Sequence, residues 1–304
     1  MNREFLNQLC SIAGSDNVRT DEPMKKHTTF RIGGAADYYV TPHSSEEIAG
    51  VIAACRESNI PYYILGNGSN LLVSDRGCRG VILQIFKNYN DIFVEGTCLS
   101  AKAGALLSRI AKKALEHSLT GMEFAAGIPG TLGGAAVMNA GAYGGEMKDI
   151  LEDVTVLSEN GDILTLSKDE LEMGYRSSRI AREGYIVLEA KLRLQNGSRE
   201  EIAARMEELK EKRTSKQPLE YPSAGSTFKR PEGYFAGKLI MEAGLRGFSV
   251  GDAQVSEKHC GFVINKGEAT AEQVRELMRE VVRRVEENSG VRLEPEVKMV
   301  GEYL

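Results

Sequence analysis

Apolar residues recur along the chain at the spacings of amphipathic helices and short strands. The clearest helix follows Thr270 and Gln273, which match a capping box, and Gly290 is placed to end it. Its apolar positions have a helical period and comprise Val274, Leu277, Met278, Val281, Val282 and Val285. The pattern therefore predicts a long helix with one buried face near the end of the chain.

A strand–helix–strand pattern occupies the first part of the chain. Ala36–Thr41 predicts a strand, Ser44 and Ser45 are placed to cap a helix, and Tyr62–Leu65 predicts the next strand. That second strand runs directly into the glycine-rich segment LGNGSNLLVSD, Leu65–Asp75. A phosphate-binding loop belongs at such a carboxyl end of a strand.

The remaining segments mix strands and helices without long alternation. Further predicted strands cover Val81–Ile85, Cys98–Ala103, Val154–Leu157, Ile163–Leu166, Tyr185–Leu194, Gly261–Asn265 and the final segment VRLEPEVKMVG. Further predicted helices cover Ala105–His117, Ser198 to about Lys216, and Phe235–Ala243. Asn160 and Gly161 give the hairpin signal between the third and fourth of these strands. The order predicts an α+β protein in three lobes.

Composition narrows the class of protein. The 304 residues are 42% apolar and 27% charged, as in an ordinary globular protein, and the net charge of -5 disfavours nucleic acid as a partner. No apolar run approaches the ~20 residues needed to span a bilayer, and the N-terminus lacks a signal core. Five scattered cysteines and four dispersed histidines form no metal-ligand pattern and fit a reducing compartment. We therefore expect a cytoplasmic protein with no metal and no membrane insertion.

A second glycine-rich segment carries the strongest functional signal. Eight of the 25 residues from Gly121 to Gly145 are glycine, which lets backbone approach a ligand closely and supply N–H donors. The chain has neither the P-loop nor the dinucleotide-binding glycine fingerprint. Structural turns are the alternative interpretation, but Pro129, Thr131 and Asn139 add a rigid turn and side-chain hydrogen bonds, which favours a phosphate-bearing cofactor.

Six sequence blocks resemble one flavoprotein family. HTTFRIGGAADYYVTP, LGNGSNLLVSD and GIPGTLGGAAVMNAGAYG resemble the FAD domain of the vanillyl-alcohol-oxidase and p-cresol-methylhydroxylase type. GYRSSRI, AGSTFKRP and LEPEV narrow the resemblance to the UDP-N-acetylenolpyruvoylglucosamine reductase (MurB) family. The resemblance implies two FAD-binding subdomains, residues 1–75 with the returning strand 293–304 and residues 76–197, and a substrate-binding α+β domain, residues 198–292.

The resemblance also implies an activity. Members of the family reduce the enolpyruvyl ether of UDP-N-acetylglucosamine to the lactyl ether, giving UDP-N-acetylmuramate for peptidoglycan. NADPH reduces a non-covalently bound FAD, and the reduced flavin then delivers hydride to the alkene carbon distal to the carboxylate. The neighbouring carbon must be protonated. This chemistry needs an acid, a cation near the carboxylate, and groups that stabilise developing negative charge.

Three residues are assigned to catalysis by the resemblance. Ser226 in AGSTF is implied as the proton donor, Arg176 in GYRSSRI as the cation for the carboxylate, and Glu296 in LEPEV as the group that helps to polarise the enolate. Taken singly, each has a plainer interpretation: a turn serine, a surface arginine and a solvent-facing strand glutamate. Their joint occurrence in the expected blocks favours the catalytic interpretation.

The binding residues follow from the same blocks. Residues expected to hold FAD are Thr29, Arg31, Gly33, Gly66, Asn67, Gly68, Ser69, Asn70, Pro129, Gly130, Thr131, Gly133 and Gly134. Residues expected to contact the UDP-sugar substrate are Tyr175, Lys229, Lys238, Gln254, Lys258 and Asn265.

Some positions depart from the family pattern, and other functions stay open. The chain resembles the shorter class of the family, which lacks a loop with a tyrosine that covers the substrate. Arg230 stands where the family often has asparagine, and Cys260 where alanine is common.

The alternatives to a reductase function are a flavin oxidase acting on an alcohol or hydroxy acid and a non-catalytic UDP-sugar or flavin-binding protein.

Overall fold

A computed structural model describes residues 2–303 of the chain. Helices and strands are numbered separately in chain order. The helices are α1 (Arg3–Ala13), α2 (Ser45–Glu57), α3 (Leu107–Glu116), α4 (Leu132–Val137), α5 (Met147–Ile150), α6 (Arg179–Arg182), α7 (Arg199–Lys216), α8 (Ala236–Glu242) and α9 (Ala271–Ser289). The strands are β1 (Val18–Pro23), β2 (Ala35–Val40), β3 (Tyr62–Leu65), β4 (Leu71–Val73), β5 (Cys78–Gln84), β6 (Ile92–Glu95), β7 (Cys98–Lys102), β8 (Leu119–Thr120), β9 (Gly141–Ala142), β10 (Gly145–Glu146), β11 (Leu151–Leu157), β12 (Ile163–Ser167), β13 (Ile186–Arg193), β14 (Gln195–Asn196), β15 (Ser223–Ser226), β16 (Ser249–Val250), β17 (Ala253–Val255), β18 (Phe262–Asn265) and β19 (Lys298–Val300).

The described residues fall into two compact units. The first unit runs from the start of the described chain to Arg19 and adds Tyr39–Asn67 and Val81–Arg213. The second unit comprises Thr20–Tyr38, Gly68–Gly80 and the described residues from Thr214 onward. The chain therefore passes between the units several times, and the first glycine-rich segment contributes to both.

A five-stranded antiparallel sheet forms the centre of the first unit. Its order is β12-β11-β13-β7-β6. Alternate residues of β13, such as Leu188, Ala190 and Leu192, are buried because successive side chains of a strand point to opposite faces. Helix α4 packs against β13, which places the second glycine-rich segment over this sheet.

The predicted strand–helix–strand pattern is confirmed by β2, α2 and β3. The Ser44 hydroxyl accepts a hydrogen bond from Glu47 N at 3.1 Å and so caps α2. The predicted apolar face of α2 is buried and comprises Ile48, Val51, Ile52 and Cys55. Strand β3 pairs in parallel with β5 and ends at Leu65, so that the first glycine-rich loop starts where a strand ends.

The second unit is built on a four-stranded sheet and two helices. The sheet has the order β15-β18-β17-β16, and α8 and α9 contribute to one buried cluster with it. Thr270 and Gln273 form the predicted capping box, and Gly290 ends α9 with a φ of 71°. The Asp75 carboxylate accepts hydrogen bonds from Ala271 N at 2.8 Å and Glu272 N at 3.1 Å. The end of the first glycine-rich segment is thereby held at the start of α9.

The last strand is shorter than the prediction. The segment VRLEPEVKMVG forms only the three-residue strand β19, which pairs in parallel with β4, and an isolated bridge between Pro295 and Phe228. Proline cannot donate to a ladder, which explains why Pro295 interrupts regular pairing. The hairpin at Asn160 and Gly161 is confirmed, with Leu157 opposite Ile163. The division into three lobes stays a prediction.

Candidate active site

The two glycine-rich segments meet within the first unit. The Asn67 side chain donates to the carbonyl of Pro129 at 2.7 Å. A Cβ on Gly66 would lie 2.5 Å from the hydroxyl oxygen of Thr131, so no larger residue fits there without a shift. Segments distant in sequence therefore form one surface of small residues and backbone, as the cofactor hypothesis requires.

The glycines that follow Pro129 divide into two kinds. A Cβ on Gly133 would lie 3.0 Å from the Cβ of Ala103, so the protein's own packing favours glycine there. At Gly130 and Gly134 the nearest atoms would lie at ordinary contact distances of 3.8 Å and 3.6 Å. Packing within the chain does not demand glycine at these two positions, which fits a site where backbone approaches a ligand.

Thr131 orders the start of α4. Its hydroxyl accepts a hydrogen bond from Gly134 N at 3.4 Å, and the side chain is 3% exposed. The threonine thus acts as the N-cap, and the same side chain packs on Gly66. Thr131 therefore contacts both glycine-rich segments, which the hydrogen bond from Asn67 to Pro129 O also joins.

The second unit contributes the other half of the first loop. Gly68 has a φ of +65°, and a Cβ there would lie 2.1 Å from the carbonyl oxygen of His27. Thr29 N donates to Gly68 O at 3.1 Å. Within the described part of this unit, no acceptor takes a hydrogen bond from the backbone N–H groups of Gly68, Ser69 and Asn70. Successive amides of this kind suit a phosphate group.

The HTTFRIGG segment packs beside that loop. The Thr29 hydroxyl donates to Ser223 O at 2.7 Å, which connects the segment to the first residue of β15. Arg31 is exposed and has a φ of 55°. Gly33 has a φ of +137°, and a Cβ there would lie 2.8 Å from that of Val73. Arg31 and Gly33 therefore have a constrained backbone, and Thr29 is fixed by its hydrogen bond to Ser223.

Ser226 lies at the exposed end of β15. Gly225 precedes it with a φ of +76°, and the register between β15 and β18 shifts between Ser223 and Ser226. Thr227 is 1% exposed, and its hydroxyl accepts from Val263 N at 2.9 Å. The strand is thus anchored immediately after the serine, while the Ser226 hydroxyl stays accessible.

The AGSTFK and LEPEV segments lie side by side in the second unit. Glu296 N donates to Thr227 O, and Lys229 N donates to Glu294 O, each at 2.8 Å. The backbone of Glu296 is therefore hydrogen-bonded to the residue next to Ser226. Glu296 is 9% exposed, whereas the Lys229 ammonium forms an exposed ion pair with Glu294 at 3.0 Å.

Arg176 lies at the tip of a tight hairpin in the first unit. Gly174 and Ser177 exchange backbone hydrogen bonds of 3.0 and 3.2 Å around Tyr175 and Arg176. Arg176 has a φ of 52°, and its guanidinium carbon lies 5.3 Å from the centre of the Tyr175 ring. Such a stack restricts the guanidinium before any ligand binds.

The residues predicted to contact substrate make different contacts within the protein. Lys238 pairs with Glu242 at 3.6 Å, and Lys258 donates to Thr214 O at 2.8 Å. Gln254 and Asn265 both bond to backbone within the second unit. Asn265 is 3% exposed, donates to Phe30 O and accepts from the amides of Gly267 and Ala269. Asn265 thus has a structural task that the sequence did not indicate, and its contact with substrate stays a prediction.

His259 supports the backbone beside the serine strand, a role that the sequence analysis does not predict. Its Nδ1 accepts from Gly261 N at 3.1 Å, and Gly261 O in turn accepts from Thr227 N. Burial lowers the pKa of His259, so the ring is neutral at neutral pH and carries its proton on Nε2. The position of His259 just before β18, the partner of the serine strand, was the signal available in the sequence.

Comparison with known proteins decides the family. A model of the UDP-N-acetylenolpyruvoylglucosamine reductase C-terminal domain matches residues 217–300, and an FAD binding domain model matches residues 36–167. The UDP-N-acetylenolpyruvoylglucosamine reductase of Agathobacter rectalis is 55% identical over 100% of both chains. That of Lachnoclostridium phytofermentans is also 55% identical, over 99% of each. The chain belongs to the UDP-N-acetylenolpyruvoylglucosamine reductase family.

One solved structure supports the same family, and a second shares only the fold. The crystal structure of the reductase from Thermus caldophilus is 38% identical, covers 93% of this chain and 99% of its own, and superposes with a TM-score of 0.80. A Phl p 4 variant, a glucose oxidase, is 15% identical over 65% of this chain and 45% of its own, with a TM-score of 0.51, and shows a shared fold alone.

Family membership settles the class of protein and its cofactor. This member of the reductase family is an FAD-dependent oxidoreductase, and the predicted α+β class with an FAD-binding domain is confirmed. The prediction of a phosphate-bearing cofactor from the glycine-rich segments is confirmed as FAD. Among residues 2–303, no helix is long and apolar enough to cross a bilayer.

Proposed function

We propose that this protein uses NADPH to reduce UDP-N-acetylglucosamine enolpyruvate to UDP-N-acetylmuramate, a precursor of peptidoglycan. The observation that carries the proposal is the pairing of AGSTFK with LEPEV, which joins the backbone of Glu296 to the residue after Ser226. The curated relatives are named for a reductase of this substrate. The proposed step uses Ser226 as the proton donor with Glu296 close to it, and this pairing of their segments supports that arrangement.

FAD, when bound, supplies the hydride that adds to the alkene. In the first unit we assign its binding to Gly66, Asn67, Pro129, Gly130, Thr131, Gly133 and Gly134. In the second unit we assign it to Thr29, Arg31, Gly33, Gly68, Ser69 and Asn70. The close contact of Gly66 with Thr131 and the amides of Gly68, Ser69 and Asn70 support this assignment.

Ser226 is proposed to give a proton to the carbon next to the substrate carboxylate. Its O–H bond breaks as the new C–H bond forms, so that hydride and proton together saturate the carbon–carbon double bond. The resulting alkoxide recovers a proton from solvent, which reaches the exposed side chain. We assign to Glu296 the polarisation of the enolate, and its low exposure strengthens such electrostatic effects.

Arg176 is proposed to bind the substrate carboxylate. A guanidinium can donate two parallel hydrogen bonds to a carboxylate, which fixes the orientation of the alkene. We assign contacts with the UDP-sugar to Tyr175, Lys229, Lys238, Gln254, Lys258 and Asn265. The exposed ring of Tyr175 beneath Arg176 supports a place for Tyr175 in this group.

Replacing Arg176 by glycine should separate its catalytic and structural effects. Because Arg176 has a φ of 52°, glycine relieves strain there, and the free energy of unfolding should stay unchanged or rise by up to ~1 kcal/mol. The kcat/KM for the enolpyruvyl substrate should fall by roughly 10²–10³-fold, as when a positioned donor is removed. Denaturant unfolding and steady-state kinetics measure the two quantities.

Arg176→Lys is the matched variant because it keeps the charge and loses the planar fork. We expect Arg176→Lys to be more active than Arg176→Gly. Its free energy of unfolding should not rise, because lysine at a φ of 52° is strained as arginine is. If Arg176→Gly were as active as the natural protein, Arg176 would not bind the substrate carboxylate.

The proposed function is tested by NADPH oxidation with and without UDP-N-acetylglucosamine enolpyruvate. Oxidation that requires the enolpyruvyl compound is the expected result. A yellow protein that ignores this compound and consumes oxygen with an alcohol or hydroxy acid would instead identify a flavin oxidase. A protein that binds the UDP-sugar or flavin without turnover would be the non-catalytic alternative.

A further inference from the structure

Asn139 is a buried polar residue that none of the proposed catalytic steps uses. It lies two residues after α4, is 1% exposed and has a φ of 44°. Its side-chain oxygen accepts from Lys148 N at 2.9 Å, and its amide donates to Glu146 Oε2 at 2.7 Å and to Gly174 O at 3.0 Å. The neighbours on both sides fix the orientation of the amide, because only its NH₂ group can donate.

One of these bonds reaches the hairpin that carries Arg176. Gly174 is the first residue of that hairpin, and its carbonyl accepts from both Asn139 and Ser177 N. On the far side of the turn, the Ser178 hydroxyl donates to Val137 O at 2.6 Å. The hairpin is therefore held at both ends by Val137 and Asn139, which lie at the end of α4 and just after it.

Positive φ values recur in the two segments that carry Asn139 and Arg176. Asn139, Tyr143, Glu172 and Arg176 all have positive φ values, between 44° and 53°. A left-handed conformation at a residue other than glycine costs free energy and persists only where the surroundings enforce it. Asparagine tolerates this conformation better than most residues, and arginine does not. An arginine kept in it points to a side chain whose position matters.

The structure assigns to Asn139 the task of positioning Arg176. Its hydrogen bond to Gly174 O fixes the position and orientation of the hairpin relative to the second glycine-rich segment. The Arg176 guanidinium is thereby held in place to bind a carboxylate. This inference rests on the proposed role of Arg176. Asn139 acts through Arg176 and touches no reacting atom.

Asn139→Gly tests the inference because glycine adopts a φ of 44° freely and removes only the side-chain bonds. We expect kcat/KM for the enolpyruvyl substrate to fall by about 10–100-fold, the range seen when a supporting residue is lost, with reduction by NADPH nearly unchanged. Asn139→Asp should fall at least as far, because a carboxylate cannot donate to Gly174 O and lies beside Glu146. Asn59→Gly is the matched control, since Asn59 also has a positive φ of 55° and lies exposed after α2.

Combination with Arg176→Ala separates positioning from general stability. If Asn139 acts through Arg176, Asn139→Gly should cause no further loss of kcat/KM in the Arg176→Ala background. Equal fold losses in both backgrounds would overturn the inference, as would an unchanged kcat/KM in Asn139→Gly itself. Should Asn139→Gly lose its FAD, Ser178→Ala weakens the other anchor, and the same pair of outcomes applies to it. A natural protein that does not turn over the enolpyruvyl substrate would instead contradict the proposed function.

Discussion

Ser226→Ala is expected to leave reduction of FAD by NADPH near the natural rate and to slow the enolpyruvyl step by roughly 10²–10⁴-fold. That range is the usual contribution of a positioned proton donor. The two steps separate because Ser226 is proposed to act only on the substrate carbon. The exposed side chain contributes little packing, so folding and FAD content should not change. Rapid-mixing absorbance measurements of each half-reaction give the two rates.

Ser249→Ala is the matched control for this variant, because Ser249 is an exposed serine on β16 of the same sheet. Ser226→Cys keeps a proton on the side chain and should retain more of the enolpyruvyl step than Ser226→Ala. If both half-reactions of Ser226→Ala slowed by the same factor, the serine would serve binding or folding and the proposed proton transfer would be wrong.

Gly68→Ala is expected to abolish FAD binding. The new Cβ would lie 2.1 Å from the carbonyl oxygen of His27, a backbone atom that cannot move without displacing the HTTF segment. The φ of +65° adds strain for any residue with a Cβ. Because Gly68, Ser69 and Asn70 offer consecutive amides, a shift of this loop removes several donors together. Flavin absorbance per chain after purification measures the loss.

Gly96→Ala controls for the backbone effect alone. Gly96 has a similar φ of +58°, yet nothing lies within 4 Å of a Cβ placed there. It should therefore keep its FAD and lose only a little stability. Comparable FAD content in Gly68→Ala and Gly96→Ala would show that the first glycine-rich loop does not hold the cofactor.

The regular elements could be predicted where local chemistry and burial agree. Helix α9 has a capping box, an apolar face and a terminal glycine, and each signal is local. The predicted final strand is longer than the observed one because apolar alternation around Pro295 resembles a strand, whereas proline removes the donor that regular pairing needs.

The class of cofactor could be predicted from the sequence, whereas the contacts between the segments could not. The glycine-rich segments indicated a cofactor, but their contact through Gly66 and Thr131 depends on folding that brings distant segments together. The sequence predicts ligand contacts for Asn139 and Asn265, yet the side-chain amides of both donate internal hydrogen bonds. No periodicity distinguishes a buried amide that anchors backbone from one that faces a ligand.

Anaerobic single turnover tests the central claim most directly. The purified yellow protein is decolourised with one equivalent of NADPH, NADP⁺ is removed, and UDP-N-acetylglucosamine enolpyruvate is added. The account predicts that the yellow colour returns in one turnover and that mass spectrometry finds one equivalent of UDP-N-acetylmuramate. A protein that stays colourless until oxygen is admitted, with the enolpyruvyl compound recovered intact, would contradict it.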